Sequence, residues 1–435
     1  MSQYGYNAVF MRGGTSKGVF FRHDDLPAEL AARDEIFIHA LGSPDAYGRQ
    51  LNGMGGGVSS VSKAVIVGPP SVAEADVDYT FAQVVIDRPE VDYSATCGNL
   101  SSAIGPFAVD QGLVAAQDGQ QTVRVYNTNT KKIYHATFAV EGGLFAPAGD
   151  FEIPGVSGTG SRIRLDYLDP GGATSGKLLP SGSAIDVLDV PGVGEVEASL
   201  VDATNAVVFI AASRLGKTAL ESVAELEADA AFMQAIDAVR RVAAVKMGLA
   251  ETPETASLGN PKIGMVGSAG DSISLSGAAI KGDDADLSAR LISMGQVHRV
   301  LPLTGSMCLG VACRIPGTVP NLICKEQGGD IRLANPSGIL PLDANVVVDG
   351  LAGTPKGGCD CGNCGADCDT GRACDLASCI SATCGPEWGF ARFSSGMMVR
   401  PLSCTTVDCL CAFIVATVFD KARPWRLVGS RNRSR

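Results

Sequence analysis

The stretch CGNLSSAIGPFAVDQGL, residues 97–113, decides the fold because it predicts a buried helix. Small and apolar residues recur in it at helical spacing, and the helix is expected to end at Gly112. A second stretch, TGSMCLGVACRI at residues 304–315, repeats this pattern and stops before Pro316. Each stretch lies in a half of the chain that is otherwise rich in strand patterns. The sequence therefore predicts a duplicated α+β unit with one central helix in each half.

Around these two helices, period-two or fully apolar runs bounded by Gly, Pro or Asp are typical of strands. A long amphipathic helix is expected between the halves, at roughly residues 218–247. We predict an N-terminal domain at residues 1–187 and a C-terminal domain at residues 188–355. The strand-forming runs are VFMRGGTSKGVFF (9–21), KAVIVGPP (63–70), YTFAQVVID (79–87), VRVYNTNTKKIYHATFAV (123–140), NAVVFIAA (205–212) and NPKIGMVG (260–267).

Composition limits the classes of partner. The 435 residues are 46% hydrophobic and 19% charged, which is typical of a protein with a large core. The net charge of -11 argues against nucleic acid or an anionic membrane as the main partner. The N-terminus carries no secretory signal pattern, and no apolar run approaches the ~20 residues that span a bilayer. A cytoplasmic location is therefore expected.

The last part of the chain, residues 356–435, differs in character from the rest. It holds ten of the 14 cysteines and both tryptophans, and its ten basic residues outnumber its seven acidic ones. An altered C-terminus, such as a shifted reading frame would produce, explains this best. A zinc module is the second interpretation, since CDCGNCGADC packs four thiols into ten residues, although the spacing differs from a zinc ribbon. A disulfide scaffold is the third, but it conflicts with a cytoplasmic location.

Cys97 is predicted to stand at the mouth of the first helix, directly after a strand. Unpaired amides and the positive helix end favour an ionised thiol there, so Cys97 is a candidate acid or base. Gly98 lets backbone approach a ligand, and Asn99 can orient a polar group of a substrate. A buried, inert cysteine is the competing interpretation.

Lys63 ends the run GMGGGVSSVSK, residues 53–63. Gly56, Gly57 and Ser60 belong to a series of consecutive amides and hydroxyls that forms a nest suited to a carboxylate. Burial between this loop and the following AVIV would favour the neutral amine and make Lys63 a candidate general base. An ordinary surface lysine is the competing interpretation.

RGGTSKG, residues 12–18, resembles an anion-binding loop in which Arg12, Thr15 and Ser16 surround two glycines. It is not a phosphate-binding Walker loop because its residue order differs, and AASRLGKT at residues 211–218 lacks the first required glycine. The four histidines show no metal-site spacing, so no catalytic metal is expected.

Thr304, Gly305 and Ser306 open the second predicted helix as Cys97, Gly98 and Asn99 open the first. Two helix N-termini that face each other would hold a di- or tricarboxylate, because both present amide donors and positive dipole ends. We expect these two ends to face each other.

Six blocks, in order between about Met11 and Lys356, carry a family resemblance: MRGGTSKGVFF, GSPDAYGRQLNGMGGGVSSVSKAVIV, CGNLSSAIGPFAVDQGLV, VDATNAVVF, LPLTGSMCLGVACRIPGT and NPSG. They resemble the PrpF family of cofactor-independent isomerases. The resemblance implies a diaminopimelate epimerase-like fold, in which two similar domains each wrap a mostly antiparallel sheet around a central helix. It also implies an active site between these domains.

The same resemblance implies the chemistry. Lys63 and Cys97 would be the acid/base pair of an isomerase that moves or rotates the C=C bond of an aconitate- or methylaconitate-type acid. The RGGTSKG, GGGVSS and TGS segments would bind the substrate carboxylates. The implied partner is a small polycarboxylate, no cofactor or metal is implied, and a homodimer is left open.

The chain departs from the family pattern in three places. Thr304 stands where related epimerases have a second cysteine, which favours an unsymmetric Lys/Cys isomerase. Asn335 stands where histidine is common, and the resemblance ends beyond Lys356. Three alternatives stay open: an amino-acid racemase or epimerase on the same fold, a catalytically impaired carboxylate binder, and a thiol-rich metal-buffering protein.

Overall fold

The structure, a computed structural model, describes residues 3–326, 329–342, 344, 346–348, 399–400, 406–407 and 426–430. Its helices are α1 (Leu30–Leu41), α2 (Gly98–Asp110), α3 (Val223–Ala228), α4 (Ala230–Lys246), α5 (Leu303–Arg314) and α6 (Val319–Ile323). Its strands are β1 (Gln3–Asn7), β2 (Val9–Gly13), β3 (Ser16–Arg22), β4 (Lys63–Gly68), β5 (Val77–Val84), β6 (Val91–Asp92), β7 (Gly119–Asn127), β8 (Lys132–Glu141), β9 (Leu144–Phe145), β10 (Phe151–Glu152), β11 (Thr159–Gly160), β12 (Arg164–Tyr167), β13 (Asp186–Val190), β14 (Gly194–Ala203), β15 (Asn205–Ala211), β16 (Lys262–Gly267), β17 (Ser272–Ile273), β18 (Ala279–Ile280), β19 (Leu287–Ser293), β20 (Gln296–Val297), β21 (Ile331–Asn335), β22 (Gly338–Leu342), β23 (Val347–Val348), β24 (Val399–Arg400), β25 (Thr406–Val407) and β26 (Arg426–Ser430).

Two large sheets organise the chain. The first runs in the order β2-β3-β4-β5-β7-β8-β12-β25, with β6 beside β5 and β9 beside β8. The second runs β13-β14-β15-β16-β19-β21-β22, with β20 beside β19. In each sheet two neighbouring pairs are parallel and the other pairs are antiparallel. The predicted α+β class with mostly antiparallel sheets is confirmed.

The second sheet repeats the topology of the first. The series antiparallel, parallel, antiparallel, parallel, antiparallel along β2-β3-β4-β5-β7-β8 recurs along β14-β15-β16-β19-β21-β22. The helix α2 lies between β6 and β7 in sequence, and α5 lies between β20 and β21. The predicted duplication is therefore present in the strand order.

Each half is built around its predicted central helix. Residues 98–109 of α2 and residues 303–313 of α5 are buried, so both helices present apolar side chains on every face. The Phe20 and Phe107 rings lie 5.6 Å apart between the sheet and α2. A Cβ on Gly105 would lie 2.5 Å from the Phe138 ring, so only glycine allows this strand to pack so closely on the helix. Burying each phenylalanine contributes about 2–3 kcal/mol.

The helix expected over residues 218–247 is wrong as a single element, because α3 ends at Ala228 and α4 begins at Ala230. Asp229 between them accepts a hydrogen bond from the Phe232 amide at 2.9 Å and caps α4. A side-chain cap satisfies an amide at a helix start, so the periodic pattern restarts here.

The two large sheets lie in one compact unit, and a second unit contains the paired strands β23 and β24. The chain passes from the first sheet to the second between β12 and β13, and the expected boundary at residue 187 falls inside β13. The domain bounds themselves stay a prediction. Apart from β24, β25 and β26, the tail at residues 356–435 lies outside the described residues, as do the altered-terminus, zinc and disulfide interpretations of it.

Candidate active site

Lys63 is the first residue of β4 and is buried. Its Nζ donates hydrogen bonds to Cys97 Sγ at 3.1 Å and to Ser16 Oγ at 3.3 Å. The ammonium also lies 5.5 Å from the centre of the Phe81 ring, whose face attracts a cation. The two predicted acid/base residues are therefore in direct contact, although they are 34 positions apart in sequence.

Cys97 is the residue that precedes α2, and its side chain is buried. Its carbonyl accepts the Ser101 amide at 3.0 Å, the first hydrogen bond of the helix, and the Tyr79 hydroxyl at 3.3 Å. Burial raises the pKa of Tyr79, so this phenol stays protonated as a donor. These two contacts fix the backbone of Cys97 at the amino end of α2, the positive end of the helix dipole.

Ser16, Thr15 and Asn99 form a polar group beside this pair. Asn99 Nδ2 donates to Thr15 Oγ1 at 2.9 Å and to Ser16 Oγ at 3.3 Å. The β2–β3 turn approaches α2 so closely that a Cβ on Gly13 would lie 2.4 Å from the Asn99 carbonyl oxygen. The glycines of the predicted anion loop therefore permit this contact between the turn and the helix. Arg12 in the same turn is half-buried and donates to the Gly14 carbonyl at 2.6 Å.

The amino ends of α2 and α5 meet. A Cβ on Gly98 would lie 2.6 Å from Thr304 Cγ2 and 3.0 Å from the Thr304 amide nitrogen. Thr304 and Gly305 lie in the first turn of α5, where backbone amides have no partner within the helix. Ser306 differs, because both its amide and its hydroxyl donate to the Pro302 carbonyl, at 2.8 and 3.2 Å. The structure thus brings Thr304 and Gly305 to the Cys97 helix, while the Ser306 donors are already occupied.

The glycine loop does not stand open as the nest that the sequence predicts. The amides of Gly56 and Gly57 donate to Gln50 Oε1, at 3.1 and 3.0 Å. A substrate carboxylate would reach these amides only by displacing the Gln50 side chain. Ser60 is half-buried in the short 3₁₀ turn Ser59–Val61 that leads into β4. Sequence reasoning missed Gln50, because a buried glutamine in a left-handed conformation has no local signal.

Two basic side chains of the second half lie near the pair, and sequence reasoning missed both. Lys262 is the first residue of β16, as Lys63 is of β4, and its Nζ donates to the Gly259 carbonyl at 3.4 Å. Burial and the positive charge of Lys63 lower the pKa of Lys262 to about 8. Burial, Lys63 and Lys262 lower the pKa of His298 to about 3, so the ring is neutral at pH 7. Superposing the two halves of the sequence could have found Lys262, which begins KIGMVG as Lys63 begins KAVIVG.

Asn205 is a third residue that was missed. It begins β15, is buried, and donates to the Thr96 carbonyl and to Thr304 Oγ1, both at 3.4 Å. It therefore touches the chain at the start of both central helices. In the part of the chain that the structure describes, its Oδ1 has no hydrogen-bond partner.

The described residues hold no group of three or more His, Cys, Asp or Glu side chains arranged to bind a metal ion. Within the same residues, no helix has the length and apolar character needed to cross a membrane.

The family model described as PrpF protein matches residues 3–350. The chain is 38% identical to 3-methylitaconate isomerase of Eubacterium barkeri, over 79% of this chain and 90% of that protein. It is 39% identical to 2-methyl-aconitate isomerase of Shewanella oneidensis, over 78% and 89%, and 35% identical to 4-oxalomesaconate tautomerase of Pseudomonas putida, over 80% and 91%. A crystal structure of methylitaconate-delta-isomerase matches with a TM-score of 0.64 and 38% identity, over 79% of this chain and 90% of that one.

Proposed function

The chain belongs to the PrpF family and is an isomerase, and we propose that it moves or rotates the C=C bond of an unsaturated di- or tricarboxylate. The proton transfer is assigned to Lys63 and Cys97, with no metal or cofactor. The substrate class is taken from the relatives, whose names specify methylitaconate, methylaconitate and oxalomesaconate. All three acids carry a double bond conjugated or adjacent to a carboxylate.

The contact between Lys63 Nζ and Cys97 Sγ, at 3.1 Å, is the observation that carries the proposal. Two groups that share one hydrogen bond can exchange a proton without large movement. One of them removes a proton from the carbon next to a carboxylate, and the other returns a proton at the allylic carbon. If the proton returns to the original carbon after rotation of the delocalised intermediate, the outcome is cis–trans isomerisation.

The intermediate needs stabilisation, because a proton next to a carboxylate is only weakly acidic. Removing it places negative charge on the carboxylate oxygens of a dienolate. Amides of Gly98, Asn99 and Gly305 lie in the first turns of α2 and α5, and each can donate to such an oxygen. Thr15 and Arg12 on the β2–β3 turn are the further candidates to hold a carboxylate, with Ser60 at the start of β4.

The residues also argue against a two-thiol racemase. The position in α5 that faces Gly98 is Thr304, whose alcohol does not ionise near neutral pH. A racemase that deprotonates from one face and reprotonates from the other by thiols would lack its second thiol here. The unsymmetric Lys63 and Cys97 pair fits a reaction in which the two residues carry out both proton transfers on one face of the substrate.

Proton NMR in D₂O tests the proposal with a panel of cis-aconitate, 2-methyl-cis-aconitate, 3-methylitaconate and 4-oxalomesaconate. At least one acid is expected to show a shifted or rotated double bond, with deuterium at the allylic carbon. Lys63→Met serves as the matched control and should show neither change. A folded wild-type protein that exchanges no deuterium with any of the four acids would contradict the proposed function.

A further inference from the structure

Lys262 occupies the position of Lys63 in the repeated topology. In the first half, Val19 of β3 pairs with Ala64 of β4. Lys63 therefore lies opposite the residue before Val19, which is two residues after Ser16, the first residue of β3. In the second half, Val207 of β15 pairs with Lys262, again two places after the first residue of the strand, Asn205. The two strand pairs thus place one lysine each at the same point of the fold.

The corresponding side chains around the two lysines differ in chemistry. Ser16, Lys63 and Cys97 form the contact group of the first half. Asn205, Lys262 and Thr304 hold the equivalent positions in the second, and Asn205 contacts Thr304 Oγ1. The second group contains an alcohol in place of the thiol, so it has a cation and hydroxyl but no partner that ionises easily.

Among the residues that the structure describes, Lys262 has no carboxylate partner. Its side chain is more than nine-tenths buried, and its one hydrogen bond within the described residues, to the Gly259 carbonyl, is long at 3.4 Å. A buried ammonium without a bonded carboxylate is costly unless an anion arrives to pair with it.

We propose, on the premise that the substrate is an unsaturated polycarboxylate, that Lys262 binds one of its carboxylates at the amino end of α5. Thr304 and the Gly305 amide complete this second-half subsite. Lys63 and Cys97 then act on the carbon next to another carboxylate of the same molecule. The duplicated fold thereby uses one half for proton transfer and the other for holding the substrate.

A pH dependence follows from the charge of Lys262. Its ammonium is the binding form, and its pKa of about 8 means that this form is lost as the pH rises above about 8. A bound carboxylate favours the ammonium, so binding near pH 8 should take up about half a proton in the wild type. The titratable groups that face Lys262 are Lys63, Cys97, Asp92, Cys308 and His298.

Isothermal titration of the full chain with tricarballylate, a saturated tricarboxylate that cannot isomerise, tests the proposal. Lys262→Met should weaken tricarballylate binding at least 30-fold, and Lys262→Arg should recover part of it. The proton uptake at pH 8, measured in buffers of different ionisation enthalpy, should be lost in Lys262→Met. Turnover of the acid accepted in the NMR panel should show a raised KM in Lys262→Met, with kcat reduced less than tenfold.

Lys281→Met is the matched control, since Lys281 is an exposed lysine of the same half that pairs with Asp271. It removes the same charge and should change neither binding nor turnover more than twofold. An unchanged dissociation constant in Lys262→Met, or no tricarballylate binding to the wild type, would overturn the assignment. So would a kcat loss above 100-fold at constant KM, which would make Lys262 a proton-transfer group. Because titration needs no turnover, a wild type that binds but does not isomerise would refute the proposed function alone.

Discussion

The two halves of this protein share one strand order but carry different chemistry where their central helices meet. In the first half, Lys63 contacts the Cys97 thiol at 3.1 Å. In the second half, Lys262 and Thr304 stand at the corresponding points, and the alcohol cannot take the role of the thiol. If Lys63 and Cys97 transfer the proton as proposed, the duplicated scaffold is unsymmetric in one respect: both helix ends keep their backbone donors, while one side chain, thiol or alcohol, decides which half exchanges a proton.

The largest effect is expected when the thiol that distinguishes the two halves is removed. Cys97→Ala should lower kcat by at least about 10³-fold, because general acid–base catalysis by one group contributes typically 10²–10⁴-fold. The fold should remain, since alanine fits a position that is already buried and makes no side-chain cap. Deuterium exchange by proton NMR measures the turnover, and the melting temperature checks the fold.

Cys308→Ala is the control for a lost thiol in the other half. Cys308 is a buried residue of α5 that donates to the Val201 carbonyl at 3.5 Å, and burial raises its pKa well above the usual range for a thiol. It should stay protonated and inert, so its loss should leave the chemical step intact. Retained turnover in Cys97→Ala, or equal losses in the two variants, would contradict the assigned asymmetry.

A smaller effect is expected at Thr304, the second-half counterpart of Cys97. Thr304→Ala removes the hydroxyl that the proposed subsite offers to a substrate carboxylate, and a lost hydrogen bond of about 1–1.5 kcal/mol corresponds to roughly a tenfold fall in kcat/KM. Thr304→Ser keeps the hydroxyl and should remain within about threefold of the wild type. Steady-state kinetics with the accepted acid measures kcat/KM. A Thr304→Ala enzyme as active as the wild type would exclude Thr304 as a substrate-binding residue.

The sequence alone predicted the elements that set this geometry. Both central helices were expected within one or two residues of their observed bounds, because a helix buried on all faces is a long run of small and apolar residues. Lys63 and Cys97 stood out through their neighbours: a glycine-rich loop before one and a helix start after the other. The resemblance to the PrpF family is confirmed and supported the same two residues.

Residues whose role depends on distant contacts could not be predicted in this way. Gln50 closes the glycine loop by accepting from Gly56 and Gly57, which turns an expected carboxylate nest into an internal contact. Asn205 matters because it reaches both Thr96 and Thr304 from another part of the chain. Such contacts are set by the packing of the two halves, and local patterns do not encode them.

Two hydrogen bonds at corresponding points of the topology also connect the two halves. Asp92 in β6 lies beside Gln83 of β5, and Gln296 in β20 lies beside Ser293 of β19. Asp92 Oδ2 accepts from the Gly259 amide at 3.0 Å, and Gln296 Oε1 accepts from the Ser59 amide at 2.8 Å. Each side chain thus crosses to the loop before the lysine of the opposite half, but one is charged and the other is neutral.

Lowering the pH should therefore weaken the Asp92 contact and leave the Gln296 contact unchanged. Hydrogen bonds from Ser257, Ser94 and Gly259 outweigh burial and lower the pKa of Asp92 below its usual value of 3.8. A carboxylate whose pKa is lower in the folded state stabilises the fold at pH values above its unfolded-state pKa, and this contribution is lost as the pH falls through its folded-state pKa, below about 4.

Asp92→Asn should lower the free energy of unfolding by about 1.5–3 kcal/mol at pH 7, because hydrogen bonds to charged groups are stronger than those to neutral groups, and Gln296→Ala should lower it by about 0.5–1.5 kcal/mol. Urea unfolding from pH 7 down to pH 3 measures the free energy of unfolding of both variants. The loss caused by Asp92→Asn, relative to the wild type, should become smaller as the pH falls, while the loss caused by Gln296→Ala stays constant. If the loss in free energy of unfolding is independent of pH in both variants, the charge of Asp92 does not contribute to holding the two halves together.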